Sequence, residues 1–251
     1  MTEPARILVV DDEAPVCKTV ASALATEKHT VDTALSAEEA LSKAEQVRYD
    51  VVITDLMMPG LSGMDLLKVT AEKMPDTKVI MITGFPSVKA AVEAMRLGAF
   101  DFIPKPFTPK ELRSLVSRAL ASKRYQGRDE VVPPPGLHCI PENSWAALAD
   151  GGNVRVGIHH VFLKTIPDLT SLKLPAQGEM RYQGEACAEV TDFTGHVHKV
   201  WAPVSGRIID VNDRIIGDYT ALLADPYGDG WLFLMAPTDL EDDLKNLVSG
   251  G

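Results

Sequence analysis

The chain has 251 residues, 45 % hydrophobic and 24 % charged, enough for two packed soluble domains. No window approaches the roughly 18–20 unbroken apolar residues of a membrane helix, and Cys17, Cys139 and Cys187 are too scattered for a zinc site or a disulfide framework. The formal charge of −10 is lopsided: residues 1–125 carry 16 basic and 17 acidic side chains, residues 126–251 carry 9 and 18, so the second half lacks the basic face that reads DNA.

The start, Met1-Thr-Glu-Pro-Ala-Arg6, shows no signal-peptide pattern, so a cytoplasmic location is expected. It leads into the apolar run Ile7–Val10, which ends at Asp11-Asp12. Pro15 to about Glu27 reads as a helix. Ser36 with Glu39 three residues on reads as a capping box opening a second helix. Val51–Thr54 is a buried strand ending at Asp55. Met64–Lys73 reads as a helix, Val79–Thr83 as a strand, and Ser87–Leu97 as a helix stopped by Gly98. Phe100–Ile103 is the fifth strand, and Thr108-Pro109-Lys110-Glu111 carries a full helix-start signature. Alternation of this kind implies a parallel sheet covered on both faces. Ligands bind such sheets beyond the carboxyl ends of the strands, where Asp11, Asp12, Asp55, Thr83 and Lys105 all fall.

Residues 123–136 read as a linker, with Val131-Val-Pro-Pro-Pro-Gly136 extended and semi-rigid. Beyond it come short alternating runs at Val154–Ile158, Ala186–Thr191, Val197–Trp201, Arg207–Val211 and Leu232–Met235, separated by turn signals. They predict a small, mostly antiparallel β domain. His159 to about Ile166 reads as a short helix. Thr238 with Glu241 suggests a capped terminal helix reaching Leu247.

Three acids at strand ends repel one another unless a cation joins them, and hard oxygen ligands favour Mg²⁺. The ordered set Val9-Val10-Asp11-Asp12, Asp55-Leu-Met-Met-Pro-Gly60, Thr83-Gly84 and Lys105-Pro106 resembles the receiver domain of two-component response regulators, over about residues 4–122. The resemblance implies a flavodoxin-like fold with strand order 2-1-3-4-5. It implies Asp55 as the acceptor of a phosphoryl group from a sensor histidine kinase or phosphotransfer protein. It implies Mg²⁺ held by Asp12 and Asp55, by Asp11 through water and by the Met57 carbonyl. Lys105 and Thr83 would hold the phosphoryl oxygens, Phe102 would switch rotamer, and Val88–Leu97 with Lys110–Ala121 would report the state. A cis Lys105-Pro106 bond and room for a homodimer through the receiver also follow. No enzyme activity is expected beyond the receiver's own phosphoryl transfer and dephosphorylation.

The second half resembles the glycine cleavage system H protein, a lipoyl-carrying member of the barrel-sandwich hybrid group. Trp145, Val154-Arg-Val-Gly-Ile158, Leu172-Lys-Leu-Pro175, Ala202-Pro-Val-Ser-Gly206, Val211-Asn212 and Asp225-Pro-Tyr-Gly-Asp-Gly-Trp-Leu232 carry that likeness. In the family a hairpin-tip lysine bears the lipoyl arm; here its position falls on Gly195, and Lys199 lies within a predicted strand. Lipoate is therefore not expected. His196 and His198 share a strand face and could pair on a metal, but a solvated polar face is the preferred reading. Trp201, Trp231 and Phe233 read as core anchors. The expected divisions are residues 1–122 (receiver), 123–136 (linker) and 137–251 (H protein-like domain with a C-terminal helix). The leading expectation is a response regulator whose degenerate H protein-like domain is an output module for a protein partner as yet unidentified, with neither DNA nor membrane as partner. The alternative is a regulated accessory or carrier protein of glycine cleavage or another lipoyl-dependent complex.

Overall fold

Val, Ile and Leu runs of four to six residues, punctuated by capped helices, build the first part of the chain. A computed structural model describes residues 4–26, 28–84, 88–123 and 134–249. Most of the predicted linker, residues 124–133, lies outside the described residues, as do Glu27 and Ser87. The strands are β1 (Ala5–Val10), β2 (His29–Ala34), β3 (Val51–Asp55), β4 (Lys78–Thr83) and β5 (Asp101–Pro104). They alternate with α1 (Ala14–Leu24), α2 (Ala37–Gln46), α3 (Gly63–Lys73), α4 (Val88–Arg96) and α5 (Pro109–Ser122). The sheet is parallel, in the order β2-β1-β3-β4-β5, as expected from the flavodoxin-like resemblance.

Period-two alternation sends Ile7, Val9, Val51, Ile53, Ile80 and Ile82 to the face where Val20 and Leu24 of α1 and Leu112 and Val116 of α5 pack. Helix starts follow local chemistry. Thr108 and Glu111 form the predicted reciprocal cap, and Ser62 with Asp65 forms a second one that the sequence reading passed over. Ser36 Oγ accepts the Glu39 amide at 3.2 Å, but Glu39 reaches back one residue further, to the Leu35 amide at 2.8 Å. The first helix stops at Leu24 rather than near Glu27, and the fifth strand runs one residue later than expected. Gly98 adopts φ +91°, the left-handed geometry of a helix stop.

The remaining elements form an all-antiparallel domain of two sheets. They are β6 (Leu137–Ile140), β7 (Ser144–Leu148), β8 (Val154–Ile158), α6 (His160–Thr165), β9 (Leu169–Lys173), β10 (Met180–Arg181), β11 (Ala186–Asp192), β12 (Val197–Trp201), β13 (Gly206–Val211), α7 (Thr220–Ala224), β14 (Phe233–Pro237), α8 (Leu240–Leu244) and β15 (Val248–Ser249). One sheet runs β10-β13-β14-β8-β7-β6-β15 and the other β12-β11-β9. Their inner faces share a core that includes Val156, Ile158, Phe162, Val190, Val200, Ile208 and Phe233. Trp145 sits opposite Gly157, where an added Cβ would lie 2.3 Å from the indole, so only glycine admits the ring. The Trp145 Nε1 donates to the carbonyls of Pro226 and Ile158 at 3.0 and 3.2 Å.

Two expectations for this domain need correction. Trp231 is only partly buried, with the Arg155 guanidinium 5.6 Å from its ring centroid, so it is a rim residue while Trp201 and Phe233 are core. The terminal helix begins at Leu240 with Asp239 as its N-cap and no side-chain cap, so the Thr238–Glu241 box does not form. Thr238 instead donates its amide to the Ser205 carbonyl at 3.0 Å. No described helix is long and apolar enough to cross a membrane.

Candidate functional site

The predicted pocket residues gather where expected. Asp11 follows β1, Asp55 ends β3, Thr83 ends β4 and Lys105 follows β5, all at carboxyl ends of the parallel strands. The Asp11 and Asp55 side chains are buried. The ammonium of Lys105 reaches both, 2.8 Å from Asp11 Oδ2 and 2.6 Å from Asp55 Oδ1. Burial of Lys105 works to lower its pKa, but the hydrogen bonds and charges of Asp11 and Asp55 outweigh it and hold the ammonium charged. The Met57 amide donates to Asp55 Oδ2 at 2.7 Å and the Glu13 amide to Asp11 Oδ1 at 3.0 Å, which fixes both carboxylates. Lys105 is itself positioned through its amide, 2.7 Å from the Thr83 carbonyl, and precedes a cis proline. Thr83 and Phe102 are buried, and Asp12 is exposed beside Asp11.

The donor set is one of hard oxygens. Two buried carboxylates share a single ammonium and keep a net negative charge, with Asp12 adding to it, which fits a small divalent cation. Among the described residues no group of three or more His, Cys, Asp or Glu forms a ready-made metal cage; the cation between Asp11 and Asp55 is Lys105.

The backbone bends sharply around Asp55. Gly63 opens α3 so close to it that an added Cβ would lie 2.0 Å from the Asp55 carbonyl oxygen. The Gly63 amide donates to the Leu56 carbonyl at 3.1 Å. Sequence reasoning missed Gly63, whose signal is its place after the Ser62 cap, eight residues beyond Asp55.

At the tip of the β11–β12 hairpin stands Gly195, with φ +76° and an exposed surface. Its amide donates to the Asp192 carbonyl at 2.9 Å. Lys199 is exposed within β12, in register with Glu189 rather than at the tip. His196 and His198 do share a face, but it is the inner one: both are buried, and the solvated-face reading is wrong. The reason is Asp192, which ends β11. Its Oδ2 lies 3.0 Å from His198 Nε2, and its Oδ1 accepts the Thr194 amide, the Thr194 hydroxyl and the His196 amide at 2.8, 2.6 and 3.1 Å. Burial would raise the Asp192 pKa, but the bonds from Thr194, His198 and His196 bring it down to about 2. A charged acid thus makes the inner face hospitable to imidazole. Beside the core, His159 caps α6 through the Val161 amide, and burial together with neighbouring His160 lowers its pKa to about 3.

Comparison with known proteins divides the chain at the same place. Residues 7–117 match the family model of the response regulator receiver domain, and residues 137–251 that of the glycine cleavage H-protein. The regulatory protein AtoC of Escherichia coli (strain K12) is 39 % identical over 120 residues, covering 48 % of this chain and 26 % of that protein. The transcriptional regulatory protein FixJ of Rhizobium meliloti (strain 1021) is 42 % identical over 111 residues, covering 44 % of this chain and 54 % of its own length. The chain thus spans between about a quarter and a half of these regulators. The probable glycine cleavage system H protein of Thermococcus kodakarensis is 35 % identical over 113 residues, covering 45 % of this chain and 83 % of that protein. A response regulator receiver domain protein from Clostridium thermocellum superposes with a TM-score of 0.46 at 36 % identity, covering 48 % of this chain and 98 % of its own. Residues 7–117 thus form a response regulator receiver domain, and residues 137–251 belong to the glycine cleavage H-protein family.

Proposed function

We propose that Asp55 is the phosphoacceptor of a two-component regulator, and that the H protein-like domain is a partner-binding output module that carries no lipoyl arm. The observation that supports the first part most is Lys105, held between the two buried carboxylates Asp11 and Asp55. A sensor histidine kinase or phosphotransfer protein would present a phosphohistidine. An Asp55 carboxylate oxygen attacks phosphorus, the phosphorus–nitrogen bond breaks, and its electron pair leaves with the imidazole. Asp11, Asp12, Asp55 and the Met57 carbonyl would hold Mg²⁺, which offsets charge on the transferring oxygens. Lys105 exchanges a carboxylate partner for a phosphoryl oxygen, and Thr83 donates its hydroxyl to another. The Met57 amide keeps Asp55 aimed. The new charge of about −2 then draws the loops after β4 and β5 toward Asp55, with Phe102 following.

Mg²⁺-dependent labelling by a small phosphodonor tests this reading. Wild type should be labelled and Asp55→Asn should not; full labelling of the variant would overturn the assignment.

For the second domain, Gly195 offers no side-chain amine, and the tip carries exposed Phe193, an aromatic suited to a protein contact, beside exposed Val197. The 35 % identity to an H protein supports a second reading, an accessory of glycine cleavage or another lipoyl-dependent complex. The mass of the chain after co-expression with a lipoate ligase separates the carrier form of that reading: an unmodified mass argues against it.

A further inference from the structure

The loop from Asp55 to the start of α3 carries Met57, and it is tethered from outside. Its first half is held by the Met57 amide on Asp55, and its end by the Ser62–Asp65 cap. Between these lies the turn at Pro59-Gly60-Leu61. There the Leu61 amide donates to Glu38 Oε1 at 3.2 Å, a bond to a residue 23 positions earlier, in the first turn of α2. Gly60 has φ +79°, and a Cβ added there would lie 2.9 Å from the same Glu38 oxygen. The turn needs glycine for its backbone angle, and the missing Cβ lets the Glu38 carboxylate sit close.

The start of α2, which carries Glu38, is itself fixed: Ser36 caps the helix, Glu39 holds the Leu35 amide, and Lys43 binds both Glu39 and the Thr33 carbonyl. The Glu38 carboxylate has a lowered pKa through hydrogen bonds to its own amide, to Ser36 and to the Leu61 amide, so it stays an acceptor at neutral pH. Its exposure makes it a restraint of modest strength.

We infer that Glu38 is a positioning residue for phosphoryl transfer: by tethering the β3–α3 loop from α2, it keeps the Met57 backbone in place beside Asp55. This rests on the phosphoacceptor reading and adds to it a residue outside the strand-end set. Glu38 touches neither the phosphoryl group nor the metal, so its removal should change how readily the pocket assembles rather than the transfer itself.

Glu38→Ala and Glu38→Gln test this in the full chain, by two readouts. The first is exchange of the Leu61 amide proton followed by NMR, which should accelerate about fivefold in Glu38→Ala, the change that loss of one ordinary hydrogen bond gives. The second is the Mg²⁺ concentration for half-maximal labelling of Asp55, which should rise by a similar factor, while the rate at saturating Mg²⁺ falls less. Glu38→Gln keeps an acceptor oxygen and should recover most of both. Unchanged exchange and unchanged Mg²⁺ dependence in Glu38→Ala, with wild type labelled normally, would overturn the role of Glu38 alone. Equal loss in the alanine and glutamine variants would also overturn it. Absence of Mg²⁺-dependent labelling in wild type would overturn both this inference and the phosphoacceptor reading.

Discussion

Asp55 and Asp192 each end a buried strand, and each is buried in turn, yet their partners differ in kind. Asp55 meets the ammonium of Lys105, 50 residues away in sequence, which it shares with Asp11. Asp192 is saturated by Thr194, His196 and His198, all within six residues of it. A carboxylate neutralised by a long, flexible cation can trade that partner for a ligand. One neutralised by its own turn is a latch. The same strand-end position therefore leaves a carboxylate open to a ligand in one domain and makes a structural clasp in the other, at the tip where the H protein family places its carrier lysine.

Breaking the clasp should have the largest effect. Asp192→Ala removes four local hydrogen bonds, one of them to the buried His198 imidazole, so it should cost about 3 kcal/mol of stability, read as a lower denaturant midpoint, and leave Asp55 labelling as it was. Gly63→Ala tests the other side. The clash with the Asp55 carbonyl should cost about 2 kcal/mol and, unlike the Asp192 change, should slow labelling as well. The third effect is one of pH. Because His159 is held near pKa 3 in the folded chain, below its ordinary imidazole value of 6.5, the unfolded chain binds this proton first as pH falls. The stability of this domain should thus drop below pH 6.5 by about 1.4 kcal/mol per pH unit from this one group, until pH nears 3. Melting curves between pH 7 and 5 measure it, and His159→Gln should flatten the slope.

The receiver was legible because Asp11, Asp55, Thr83 and Lys105 each lie at the end of an apolar run, and two helix starts, at Ser36 and Thr108, carry recognisable caps in sequence. Less of the second domain could be read. β7 and β9 were passed over: Ser144-Trp-Ala-Ala-Leu148 and Leu169-Thr-Ser-Leu-Lys173 give no clean alternation, because their pairing partners rather than their composition make them strands. β2 went unplaced for a similar reason, being a half-buried edge strand rich in polar residues. His196 and His198 show a sharper limit. Period two says that they share a face, but not which face; that depends on Asp192 arriving across the hairpin. The Asp-x-x-x-His-x-His spacing was the available signal.

The contrast between the two aspartates is tested most directly by one intact-mass measurement. The full chain, co-expressed with a lipoate ligase and then exposed to a small phosphodonor with Mg²⁺, should gain one phosphoryl group and no lipoyl group, and Asp55→Asn should gain neither. A lipoyl increment on the wild-type chain, or a phosphoryl increment that survives in Asp55→Asn, would contradict the account.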